Sequence, residues 1–132
     1  MSILLDTDIC IYWLKGNKRI EKKAVAVGLD ALHVSFITIS ELYYGVYKSQ
    51  RIQENLAGIK TLEGKIKRVD SDQQTCESFG KLKASLVNQG KTLDDADLFI
   101  AACALVNNLV LVTNNETHFK RIKGLKWENW IK

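Results

Sequence analysis

Ser2-Ile3-Leu4-Leu5-Asp6-Thr7-Asp8-Ile9-Cys10-Ile11-Tyr12 carries the pattern that decides the fold. A short apolar run stops at an acid, and a helical stretch over residues 7–15 follows, with Ile9, Tyr12 and Trp13 on one face. The pattern recurs further along the chain. His33-Val34-Ser35-Phe36-Ile37 ends at Thr38, and Leu109-Val110-Leu111-Val112 ends at Thr113-Asn114-Asn115. A fourth strand is expected at residues 66–69 and a short last one at 125–127. Helical spacing falls between them, at residues 18–29, 39–48, 53–64, 72–88 and 95–107. The stretch 72–88 places Cys76, Phe79, Leu82 and Leu86 on one stripe and stops at Gly90. The last is apolar nearly all round and reads as a central buried helix. Strands alternating with helices predict βα units on a parallel sheet, an α/β protein.

Length and composition fit that reading. The 132 residues are expected to form one domain, residues 1–132. With 46% hydrophobic and 26% charged residues, the chain has the balance of a soluble globular protein, not a disordered one. The net charge of +4 mildly favours a polyanionic partner. Cys10, Cys76 and Cys103 are odd in number, far apart and set among apolar residues, so buried thiols in a reducing, cytoplasmic setting are expected. The opening stretch lacks a basic segment and reaches Asp6 early, unlike a signal peptide. The longest apolar run, residues 98–113, is broken by Asn107 and Asn108 and does not suit a membrane span.

In open parallel sheets, ligands bind beyond the carboxyl ends of the strands. Asp6 follows the first strand and Glu41 comes four residues after the second. Asp94, Asp95 and Asp97 precede the buried helix, and Glu116 follows Thr113-Asn114-Asn115. Converging carboxylates repel one another and call for a cation, and hard oxygen donors suit Mg²⁺ or Mn²⁺. Lys15, Lys18, Arg19, Lys22 and Lys23 lie near Asp6 in sequence, and Lys120, Arg121 and Lys123 follow the last motif. Cations on both sides of an acidic pocket suit a phosphodiester substrate.

A structural role competes at each acid. Thr38-x-x-Glu41 and Thr113-x-x-Glu116 both have capping-box spacing, and Asp6, Asp8, Asp94 or Asp97 would serve as helix caps. His33 and His118 have no partner at ligand spacing and read as surface or core residues. Tyr43-Tyr44 and Trp13 suit base stacking but equally suit packing. There is no Ser-His-Asp arrangement and no glycine-rich phosphate loop.

Four stretches together resemble PIN-domain ribonucleases, specifically the VapC-type toxins of toxin–antitoxin pairs. They are Leu4-Leu5-Asp6-Thr7-Asp8-Ile9-Cys10-Ile11-Tyr12, Phe36-Ile37-Thr38-Ile39-Ser40-Glu41-Leu42-Tyr43-Tyr44-Gly45, Gly90-Lys91-Thr92-Leu93-Asp94-Asp95-Ala96-Asp97-Leu98-Phe99-Ile100-Ala101-Ala102, and Leu111-Val112-Thr113-Asn114-Asn115 with the tail to Trp130. The resemblance spans the whole chain in order. It implies a three-layer α/β/α sandwich with a mainly parallel central sheet. It also implies a Mg²⁺-dependent endoribonuclease, with Mn²⁺ as the alternative metal, cleaving single-stranded or loop RNA with metal-activated water.

The family's catalytic and metal-binding acids fall on Asp6, Glu41 and Asp97. Its fourth acid has no counterpart: Asn114 and Asn115 are neutral, and Glu116 is the nearest carboxylate. Asn115 and Glu116 are therefore the candidates for that fourth position. The resemblance further implies a homodimer and neutralisation by a cognate VapB-like antitoxin whose tail enters the acidic cleft; from the sequence itself, no membrane association is expected. The alternative is a PIN-fold module that binds RNA or protein without cutting. A receiver-like signalling domain is a third possibility, but its acceptor aspartate and trailing lysine are poorly placed.

Overall fold

The computed structural model describes residues 1–132. At its centre is β1 (Ile3–Leu5), flanked by β2 (Leu32–Ser35) and β4 (Val110–Val112); β3 (Lys67–Val69) and β5 (Trp127–Glu128) form the edges. The order is β3-β2-β1-β4-β5 and every neighbouring pair is parallel. The helices are α1 (Thr7–Leu14), α2 (Lys18–Val27), α3 (Phe36–Tyr47), α4 (Ile52–Lys65), α5 (Gln73–Asn88), α6 (Asp95–Val106) and α7 (Glu116–Phe119).

Side-chain alternation along β1 builds two cores. Ile3 and Leu5 join residues of α1 to α4 and β2 on one face, while Leu4 joins α6, α7 and Leu111 on the other. This is the three-layer α/β/α sandwich that the resemblance implied. α6 buries Leu98, Ile100, Ala101, Ala102, Cys103 and Ala104, so it is the central buried helix expected of its composition. At about 25 cal/mol per Å² of apolar surface, such all-round burial makes this helix a principal support of its layer.

Four local expectations need correction. The second strand ends at Ser35 rather than at Ile37, and α3 begins at Phe36. The Ser35 hydroxyl accepts a hydrogen bond from the Thr38 N–H at 3.1 Å and caps the helix. Phe36 and Ile37 look strand-like because they are apolar, but one capping hydroxyl before them converts the segment to helix.

It follows that Glu41 is not the acid of a capping box with Thr38. Thr113 is not a cap either, because Asn115 holds that position at α7 without a side-chain bond. Finally, Cys76 lies on the exposed side of α5; only Cys10 and Cys103 are buried.

Candidate active site

Asp6 leaves β1 where its own N–H bonds the Val112 carbonyl at 2.9 Å, so the strand pairing with β4 fixes its backbone. It is 5% exposed. Its carboxylate accepts from the Thr7 N–H at 2.8 Å, which caps α1, and from the Thr113 hydroxyl at 2.7 Å. The cap and the site are thus the same carboxylate. Burial first, then the neighbouring Asp8 charge, push the Asp6 carboxyl up to about 7, against the lowering bonds from Thr113 and Thr7. Asp97 adds to the upward push.

Thr7 links two of the expected acids. Its N–H serves Asp6, and its hydroxyl donates to Glu41 Oε1 at 2.6 Å while lying 3.1 Å from the Thr38 hydroxyl. Glu41 is solvent-exposed, so it stands at the rim of the pocket instead of its floor. Asp97 lies in the first turn of α6 with its side chain 19% exposed, and His118 Nδ1 lies 3.0 Å from its Oδ2. The Asn115 amide nitrogen is 2.7 Å from that same Nδ1, so His118 either donates to Asp97 or accepts from Asn115. Asp94 and Asp95 point elsewhere: both are exposed, and Asp95 pairs with Lys83 at 2.9 Å.

Of the two candidates for the fourth acidic position, neither Asn115 nor Glu116 adds a free carboxylate. Asn115 is neutral and engages His118. Glu116 accepts from Asn129 at 2.6 Å and pairs with Lys132 at 3.0 Å, and both bonds lower its carboxyl. It is tied to the C-terminal segment instead.

Asp8, which the sequence suggested as a cap, belongs with the pocket acids. Its charge acts on Asp6 and feels that of Asp97, and burial raises its carboxyl. Its Oδ2 accepts from the Asn114 N–H at 3.0 Å. No Lys or Arg pairs with Asp6, Asp8 or Asp97. No three acids are already drawn around one point where they could hold a metal. Thr7 holds Glu41 and His118 holds Asp97, so ligation requires those side chains to turn from their protein partners.

Beside Glu41 lies a groove of about 630 Å³ between α1, α3 and α4. Its floor includes Ile11, Leu42 and Val46, and Lys15, Lys48 and Arg51 stand along it. No helix of the protein is long and apolar enough to cross a membrane.

A parallel sheet with buried, uncompensated carboxylates beyond its central strand defines an α/β protein built around an acidic pocket. Comparison with known proteins narrows this class. The PIN domain family model matches residues 3–125. Ribonuclease VapC1 of Haemophilus influenzae (strain R2866) is 37% identical over 134 residues, covering 100% of both chains. The tRNA(fMet)-specific endonuclease VapC of Shigella flexneri is 33% identical, covering 98% of each. Among solved structures, VapBC2 from Rickettsia felis, bound to a DNA fragment from its promoter, superposes with a TM-score of 0.94. It is 31% identical and covers 98% of this chain and 99% of that one. The chain belongs to the PIN-domain family, among the VapC ribonucleases.

Proposed function

We propose that this protein is a divalent-metal-dependent endoribonuclease toxin, with Asp6, Glu41 and Asp97 as its working acids. The observation that carries the reading is the burial of Asp6 among like charges with no Lys or Arg to offset them. Such clustering is costly unless something cationic occupies the pocket in the working state. Oxygen-only donors favour Mg²⁺ or Mn²⁺ over softer metals, with Mg²⁺ preferred. A cation held by Asp6 and Asp97 would supply activation of water and stabilisation of the leaving oxygen.

The chain's own residues do the rest. Thr113 and the Thr7 N–H keep Asp6 in one orientation, and the Thr7 hydroxyl holds Glu41 at the rim. The cations Lys15 and Lys48 beside Glu41 suit the phosphates of an RNA strand approaching the pocket. The relatives carry ribonuclease names, which supports RNA as the substrate. The Rickettsia relative was solved as VapBC2, which supports a VapB-like antitoxin as partner. A cytoplasmic location is part of the same proposal.

The test is cleavage of a mixed RNA pool with Mg²⁺ or Mn²⁺ and then with chelator. Cleavage is expected with metal only, and Asp97→Asn is expected to lose it while keeping the parent's circular dichroism. Equal cleavage with chelator removes the metal from the mechanism. Parent-like cleavage by Asp97→Asn removes that residue from the site.

A further inference from the structure

We infer that Asp8 is a ligand for the pocket's divalent cation and supplies the fourth carboxylate that Asn115 does not. This rests on the cation reading of Asp6 and Asp97 above and adds a residue to it. The last motif offers no free acid: Asn115 is neutral and bonds His118, and Glu116 is held by Asn129 and Lys132. Asp8 reaches the same loop from the other side. It lies in the first turn of α1, two residues after Asp6, and its Oδ2 accepts the Asn114 N–H at 3.0 Å. All three acids meet the same segment: Asp6 through the Thr113 hydroxyl at 2.7 Å, Asp8 through the Asn114 N–H, and Asp97 through His118 at 3.0 Å.

The decisive feature is its other oxygen. Asp8 Oδ1 is buried and has no hydrogen-bond partner, and it is the one buried side-chain polar atom in the molecule left so. A buried carboxylate oxygen without a donor forfeits its hydration for nothing in return. No Lys or Arg pairs with Asp8. A hard cation shared with Asp6 and Asp97 would satisfy that oxygen.

The competing role is purely structural, with Asp8 fastening α1 to the loop through Asn114. An asparagine would fasten it equally well, because its amide oxygen accepts the same N–H. Asp8→Asn therefore removes the charge and keeps the fastening.

The experiment is calorimetric titration of MnCl₂ into the full-length protein without RNA. Parent, Asp8→Asn, Asp8→Ser, Asp6→Asn and Glu116→Gln are compared, each checked for folding by circular dichroism. Asp8→Asn is expected to weaken Mn²⁺ binding by at least roughly 10-fold, the loss that even a partner outside the ligand set typically produces, with Glu116→Gln within about twofold of the parent. Asp8→Ser guards against a folding defect peculiar to the amide and is expected to weaken binding at least as much. If Asp6→Asn loses Mn²⁺ while Asp8→Asn and Asp8→Ser bind like the parent, Asp8 is a fastener only and the inference is overturned. If the parent binds no Mn²⁺, or Asp6→Asn binds it equally well, the cation reading itself fails and this inference falls with it.

Discussion

Asp6 sits at about 7 because folding takes its carboxyl out of water and sets Asp8 beside it. In the unfolded chain the same group titrates near 3.8. Between these values the folded state keeps a proton that the unfolded state has released, so stability falls as pH rises through the window. The cost is absent below the lower value and fully present above the upper one. At roughly 1.4 kcal/mol per unit it amounts to a few kcal/mol in the metal-free protein. Thermal melts in chelator at pH 5 and pH 8 are therefore expected to show a lower Tm at the higher pH. Asp6→Asn is expected to flatten the difference, and equal slopes for parent and variant would refute the assignment. Asp6 and Asp97 were legible in the sequence because each stands at a strand end or a helix start. Asp8 and His118 were harder to read. The partner of Asp8 is the N–H of Asn114 and that of His118 is Asp97, contacts that only the tertiary fold creates.

Among the elements, α3 shows where local pattern and tertiary structure part. The apolar pair Phe36-Ile37 continues the alternation of β2, and period alone does not separate a buried strand end from a buried helix start. Ser35 decides it: the residue is 1% exposed, and its hydroxyl is bonded to the Thr38 N–H. Ser35→Ala is expected to cost about 0.5–2 kcal/mol in urea unfolding. A change well under that range would mean that packing, not the cap, starts the helix. The same kind of ambiguity misplaced Cys76. The spacing of Phe79, Leu82 and Leu86 does mark the inner stripe of α5, with Leu86 buried, but Cys76 falls outside it. The native protein is expected to titrate one thiol per chain quickly with an aromatic disulfide reagent and all three after unfolding. Burial holds the Cys103 thiol up at about 11 and raises Cys10 as well, so neither competes. Two fast thiols in the native state would contradict the burial of Cys10 or Cys103.

For the molecule as a whole, the proposed cation would tie stability to the occupancy of the pocket. A ligand that binds only the folded state stabilises it by mass action, by about 2.7 kcal/mol at a hundredfold excess over its Kd. Mn²⁺ is expected to raise the parent's Tm by several degrees, and Asp97→Asn by clearly less. Equal shifts in both would show the ion binding elsewhere. The architecture itself was readable because each strand–polar–helix repeat announces a βα unit, whereas the order of strands in the sheet is a matter of long-range pairing. That pairing has a consequence for how the chain is made. The central strand is the first one synthesised, yet one of its two neighbours is β4, more than a hundred residues later. Asp6 cannot be seated until Val112 and Thr113 arrive to bond it. Trp130, 2% exposed and packed in the core beside β1, arrives later still. Until β4 and Thr113 have been made, the growing polypeptide has no assembled acidic pocket, so the RNA around it meets no formed site before that segment exists.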